Sequence, residues 1–259
     1  MADITAFQGG EVNDSELVNW RGDQVSVGQG GQSIYKSSSV PLARLGERIV
    51  VGDRVFRYAQ LGAIASNPGD VVQIAPVAQV PTTAGDTNPA GAKIFTYFKT
   101  ASAAVANFFA EGYLHAVSGT PANTGLMYRI RSHASMGADT NTVLTLYDPL
   151  EVAINVTDKY VVSANPYKLV TQNTAGTQVS AGVLICPATT NDYVWLQTWG
   201  PCAIKSSTAA GGGNVMFAAA TGAAVGQVGT DGTANMVIGA FATVSVASEK
   251  TLGFIMIAP

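Results

Sequence analysis

Charge is what this chain has least of. Asp, Glu, Lys and Arg together make up 12% of its 259 residues, about half of the ~25% common in soluble domains. Charge keeps a monomer's surface solvated, so its shortage implies that neighbouring molecules cover much of this one. A membrane is the other possible cover. No run of about 18 apolar residues is present to span one. The first ten residues, MADITAFQGG, have neither the basic region nor the apolar stretch of a secretory signal. The expectation is a protein made in a cytoplasm that stays soluble or assembles there, with no membrane partner. The net charge of −3 and pI near 5.3 carry no electrostatic footprint for nucleic acid.

Histidine and cysteine are almost absent too. The two histidines, His115 and His133, have no second His or Cys at a ligand spacing, so no metal site is expected. Cys186 and Cys202 are too few for a disulfide framework and read as free thiols in a reducing compartment. Both sit in apolar strand contexts, where a thiol stays protonated and inert. No G-x-S-x-G elbow occurs. Asp148 and Glu151 are the nearest carboxylate pair, and their place around Pro149-Leu150 reads as a turn. The glycines from Val27 to Gly31 lack the Lys-Ser/Thr of a phosphate-binding loop. Trp20, Trp195 and Trp199 could stack a sugar or a base. Trp195 and Trp199, four apart on one strand, are expected to share a face and serve as a core or subunit contact. Pro201 is expected to end that strand at an edge. Catalysis and cofactors are therefore not expected.

What is present is strand pattern almost throughout. Arg48 to Tyr58 alternates around Gly52-Asp53 and reads as a tight hairpin. Val71 to Val80 reads as extended. Lys93 to Lys99, Tyr113 to Val117, Leu126 to Arg131, Thr142 to Tyr147, Val152 to Val156 and Tyr160 to Val162 follow at short intervals. Val179 to Cys186 and Tyr193 to Trp199 read as a strand pair. Val215 to Phe217, Met236 to Val246 and Thr251 to Ile257 come last, with a turn at Thr230 to Thr233. Ala101 to Ala110 is the one stretch with helix propensity, and a single turn suits it equally. The fold class read from this is all-β: a sandwich or barrel of many short antiparallel strands, with an extended N-terminal arm and little helix. The Thr-, Gly- and Pro-rich segment Pro81 to Gly91 suggests a division into residues 1–80 and 81–259.

Such charge as there is clusters early. Asp3, Glu11, Asp14, Glu16 and Asp23 face Arg21 alone in the first 23 residues, and Arg44, Arg48, Arg54 and Arg57 follow. An acidic arm and a basic segment suit docking on a partner. The candidate partner-binding residues are Arg44, Arg48, Arg54, Arg57 and Trp199. The Gly/Ala-rich stretch from Ala203 to Thr233 permits close backbone approach between copies.

The segment Leu45-Gly46-Glu47-Arg48-Ile49-Val50-Val51-Gly52-Asp53-Arg54-Val55-Phe56-Arg57-Tyr58-Ala59, followed by Leu61-Gly62-Ala63, resembles a segment of virion structural proteins of tailed bacteriophages. Glu111-Gly112-Tyr113-Leu114, Tyr128-Arg129-Ile130, Thr145 to Leu150, Asn165-Pro166-Tyr167 and Tyr193 to Pro201 are similar to the same family. The likeness covers roughly residues 45 to 205. It implies a capsid decoration (cement) subunit on the capsid surface, commonly trimeric, with copies of itself and the major capsid protein as partners. A major capsid, tail or fibre subunit is the alternative, and a glycan-binding virion module a further one. The shared motifs are structural, so the resemblance brings no catalytic residues.

Overall fold

The computed structural model describes residues 31–63, 67–75, 81–99, 103–119, 125–173, 178–218, 228–229 and 236–258. The fold is all-β, and among the described residues there is no helix. The strands run in chain order as β1 (Arg48–Val51), β2 (Arg54–Gln60), β3 (Val71–Gln73), β4 (Thr82–Thr83), β5 (Ile94–Lys99), β6 (Tyr113–Ser118), β7 (Met127–His133) and β8 (Thr140–Leu146). There follow β9 (Lys159–Ser163), β10 (Thr171–Gln172), β11 (Ser180–Leu184), β12 (Tyr193–Lys205), β13 (Val215–Ala218), β14 (Val228–Gly229), β15 (Val237–Phe241) and β16 (Lys250–Met256). The Thr230 to Thr233 turn, Trp20 and most of the Val27 to Gly31 glycine segment lie outside the described residues.

The chain divides into two units. One holds the residues up to Ala75 together with those from Tyr167 onward, and the residues between them, up to Pro166, form the second. The first boundary falls near the Pro81 segment. The rest of residues 81–259 is not one body, because β10 to β16 pair back into the sheet of β1 to β3. Residues 76–166 are thus an insertion.

The inserted unit is a six-stranded antiparallel sheet in the order β4-β9-β6-β7-β8-β5. A bridge between Ala84 and Tyr97, with the Gly85 N–H donating to the Thr96 carbonyl at 2.9 Å, joins its two ends. The sheet therefore nearly closes into a barrel, which leaves few strand edges open. Period-2 alternation supplies the filling: Phe95, Tyr97, Leu114, Tyr128, Ile130, Leu144, Leu146 and Tyr160 point inward and are buried. Val152 to Val156 forms no strand, only a bridge from Ile154 to Asn88, because the neighbouring segment takes turns instead. Ala103 to Ala110 is a turn rather than a helix, closed with Asn107 at φ 59°.

His133 is buried in this barrel as a structural group. Its Nε2 accepts the Phe109 N–H at 2.9 Å, and its Nδ1 lies 2.6 Å from the Ala134 carbonyl. That pair of partners defines a neutral ring with the proton on Nδ1. His133→Ala should leave the Phe109 N–H unpaired and lower stability by about 2–3 kcal/mol, read as a shift in the urea midpoint.

The larger unit is a ten-stranded sheet built on β12. Along one edge β12 pairs with β2, and along the other with β11 and then β16. Trp199 sits opposite Val55 on one side and Met256 on the other. Beyond β16 come β15, β13 and β14. The hairpin expected at Gly52-Asp53 forms, with Val51 opposite Arg54. Pro201 does not end its strand. β12 runs on to Lys205 with Pro201 opposite Phe254. The β2 ladder stops at Val55, so beyond it no ladder bond is asked of the proline. The Gln197 side-chain amide donates to the Trp199 and Pro201 carbonyls at 3.1 and 2.8 Å.

Candidate functional site: an outward apolar sheet face

The two faces of this sheet are filled differently. On the inner face Trp195, Tyr58, Phe56, Ile49 and Val51 pack under Ile34, Ala43 and Leu45. Trp195 is 1% exposed, and its Nε1–H donates to the Gln32 carbonyl at 3.0 Å. The Tyr58 hydroxyl donates to Gln32 Oε1 at 2.7 Å. The inner face continues through Val71, Val183, Cys202, Ile204, Met216, Ile238, Phe241 and Ile255. The outer face is buried at the start of β12, where Val194, Leu196, Leu184 and Val72 pack with Val170 and Cys186, and at Val55 of β2.

A bulge between Gln197 and Trp199, relative to β2, reverses the alternation of β12. Trp195 is therefore inner and Trp199 outer. The expectation that they share a face fails because one extra residue lies between them. After the bulge Cys202 and Ile204 turn inward, and Trp199, Pro201, Ala203 and Lys205 turn outward.

The outward positions of the neighbouring strands are apolar as well. Register puts Val50, Val55, Trp199 and Met256 in one cross-strand row. A second row is Pro201, Phe254, Ala240 and Val215. Ala203 lies opposite Leu252, and Phe217 opposite Val237. Leu252, Phe254 and Met256 are 46%, 40% and 47% exposed. Trp199 meets Phe254 edge-to-face at 5.7 Å and 82°, a favoured aromatic geometry. Contiguous exposed apolar surface of this kind marks an interaction site.

Charge on the outward positions of β1, β2, β12 and β16 is all of one sign. Arg48 lies directly opposite Arg57, and Lys205 directly opposite Lys250. Like charges in that relation are unfavourable. Asp53 sits in the turn between β1 and β2, and Glu249 in the turn before β16. No ion pair among the described residues holds Arg48, Lys205 or Lys250.

Of the five candidate partner-binding residues, the fold brings Arg48, Arg57 and Trp199 onto this one face. Arg57 also donates from Nη1 to the Gly46 carbonyl at 3.2 Å. Arg54 is on the inner side, where Nη2 donates to the Tyr35 hydroxyl at 3.1 Å and the guanidinium lies over Tyr35 and Phe56. Arg44 is exposed in the turn before β1, its N–H donating to Glu47 Oε2 at 3.0 Å. Sequence reasoning marks Phe254 and Met256 only as part of the apolar stretch Gly253 to Ile257 suited to a subunit interface, and passes over Leu252, Lys205 and Lys250. The available signal was β16 itself, whose two alternating sets are both largely apolar, as in a strand covered on both faces.

Burial holds the two thiols protonated. Cys186 and Cys202 are free and buried. Burial raises the Cys186 thiol from 9.0 to about 11, with Asp192 adding to it. Burial raises Cys202 to about 12 against a smaller opposing effect of Arg54. Neither should react with a thiol reagent before unfolding. Burial also raises Tyr58, Tyr97 and Tyr160 above 10.0. In each case the unfolded chain loses its proton first. The stability from keeping these groups neutral is therefore present below about pH 9 and is lost as pH rises beyond it. The urea midpoint should hold level to roughly that pH and fall above it, the thiols acting before the tyrosines.

The comparisons with known proteins are negative: no protein-family model, no curated protein and no solved structure matches the chain. Among the described residues no three His, Cys, Asp or Glu side chains form a group able to hold a metal ion. No helix among them is long and apolar enough to cross a membrane.

Proposed function

We propose that the chain is a non-catalytic structural subunit that assembles with copies of itself. Its setting, on this reading, is the one its sequence resemblance implies: a decoration (cement) subunit at the capsid surface of a tailed phage, binding the major capsid protein between capsomers. The outward apolar face of β12, β13, β15 and β16 carries the proposal. Obligate subunit interfaces are large and apolar, and a face holding Trp199, Leu252, Phe254 and Met256 has the composition of one. Low overall charge fits the same reading, since an assembled subunit needs less solvated surface. Cyclic closure, as in a trimer, would satisfy a surface that meets its neighbours in one repeated way. The absence of helix among the described residues favours a decoration subunit over a shell protein built on a long spine helix.

Sedimentation velocity tests the first half of the proposal. A stable oligomer at micromolar concentration is expected, and a persistent monomer would remove the proposal's basis. Cryo-microscopy of the particle tests the second half. Density for this fold over the junctions between capsomers is expected, and density in a tail or fibre would move the subunit there.

A further inference from the structure

We propose that the lysine-bearing end of the outward apolar face is met, in the assembled protein, by the loop from Tyr147 to Glu151 of a second copy. The inference rests on the self-assembly reading above and names the surface that docks there. Lys205 and Lys250 stand directly opposite each other across β12 and β16, at the end of the face beyond Leu252. Neither forms an ion pair among the described residues. Two like charges in that relation repel, and carboxylates brought against them offset the repulsion. The outward strand positions of the face hold no carboxylate, so a copy of the same face does not complement it.

The free carboxylates of the described residues are few. Glu111 is paired with Arg129. Glu47, Asp86 and Asp192 accept backbone N–H groups from Arg44, Thr87 and Thr189. Asp70 and Asp158 are buried, and Asp139 is not free either. Asp53 and Glu249 belong to the turns that border the face itself. Asp148 and Glu151 differ. Both are exposed, and no ion pair or side-chain hydrogen bond among the described residues holds them.

Their loop is also fixed in advance. Leu150 between them is 2% exposed. Its N–H donates to the Ala92 carbonyl at 2.9 Å, and its carbonyl accepts the Gly91 N–H at 2.7 Å. The Glu151 N–H donates to the Tyr128 hydroxyl at 3.1 Å. Pro149, exposed beside Asp148, restricts the backbone further. A loop held this way loses little freedom on binding. It presents two carboxylates and a proline to a surface that presents two ammonium groups beside apolar side chains. Charge pairs at the margin of such a contact select the partner and its register, while the apolar centre carries the affinity. A face that meets a different surface of its neighbour makes a head-to-tail contact, which closes into a ring when repeated.

Charge exchange in the full-length protein, read by sedimentation velocity, tests the pairing. Lys205→Glu/Lys250→Glu and Asp148→Lys/Glu151→Lys should each weaken assembly roughly tenfold or more, and the four changes together should restore it. Cross-linking of the wild-type protein, assembled from isotopically heavy and light chains, locates the contact without any substitution. Carbodiimide joins a carboxylate to a lysine amine as an amide, the lost water being taken up by the reagent as its urea. Amides from Asp148 or Glu151 to Lys205 or Lys250 are expected in heavy–light pairs. Links confined to heavy–heavy and light–light pairs would overturn the contact between copies. Full assembly of either reversed variant, or no restoration when the two are combined, would overturn the loop as occupant and leave self-assembly standing. A wild-type protein that stays monomeric would remove both.

Discussion

Replacing Phe254 with glutamate is expected to turn the assembled protein into a folded monomer. The residue is at the centre of the outward face, opposite Pro201 and Ala240 and edge-on to Trp199. In an assembled subunit its ring would lie against the neighbour. A carboxylate there must be stripped of water without a designed partner, which costs several kcal/mol. Each 1.4 kcal/mol is a tenfold change in dissociation constant, so weakening by roughly 100-fold or more is expected. The fold should survive, because the outward position contributes little to the buried cluster on the other side of β16. Sedimentation velocity with circular dichroism reads both effects. Val143→Glu is the control: Val143 is also exposed, but it lies on β8 of the inserted unit. Val143→Glu should leave the sedimentation coefficient unchanged.

Gly200→Ala should be among the most destabilising single substitutions in the chain. Gly200 follows the bulge in β12 and holds φ at +92°. A Cβ there would lie 2.4 Å from the Asp53 carbonyl oxygen and 3.2 Å from the Arg54 Cα. Both obstacles are backbone, so no side chain can swing away. Left-handed strain of about 1 kcal/mol or more adds to a displacement of the β1–β2 turn. A total near 3 kcal/mol or above is expected, seen as a large fall in the urea midpoint. Gly52→Ala separates the two causes. Gly52 also has positive φ, +63°, but open space around its would-be Cβ, so about 1 kcal/mol is expected there. Gly200→Ala should also impair assembly, since the same kink turns Trp199 outward.

Much of the fold is legible because period-2 alternation reports directly on burial. Phe95 and Tyr97, then Tyr128 and Ile130, line the barrel as their spacing predicts, and Gly52-Asp53 turns the first hairpin. Two things defeat such reading. A bulge adds a residue without leaving a sequence mark, so Trp195 and Trp199 separate and Pro201 stays within its strand. Long-range pairing is equally silent: nothing local tells that β10 to β16 return to β3 and β2 around an inserted barrel. Arg48, Arg57 and Trp199 could be named from composition and resemblance. Their convergence with Leu252, Phe254 and Met256 depends on β12 pairing with β2 and β16 at once, which only the fold supplies.

The central claim is that the face around β16 is covered when the protein assembles. A cysteine placed at Leu252 tests it directly, because the native thiols at Cys186 and Cys202 are buried and unreactive. Maleimide labelling of Leu252→Cys should be fast at high dilution, where the subunits separate. It should slow at least tenfold at concentrations where sedimentation finds the oligomer. Labelling at the dilute rate at every concentration, in protein that is nonetheless assembled, would show that the interface lies elsewhere and contradict the account.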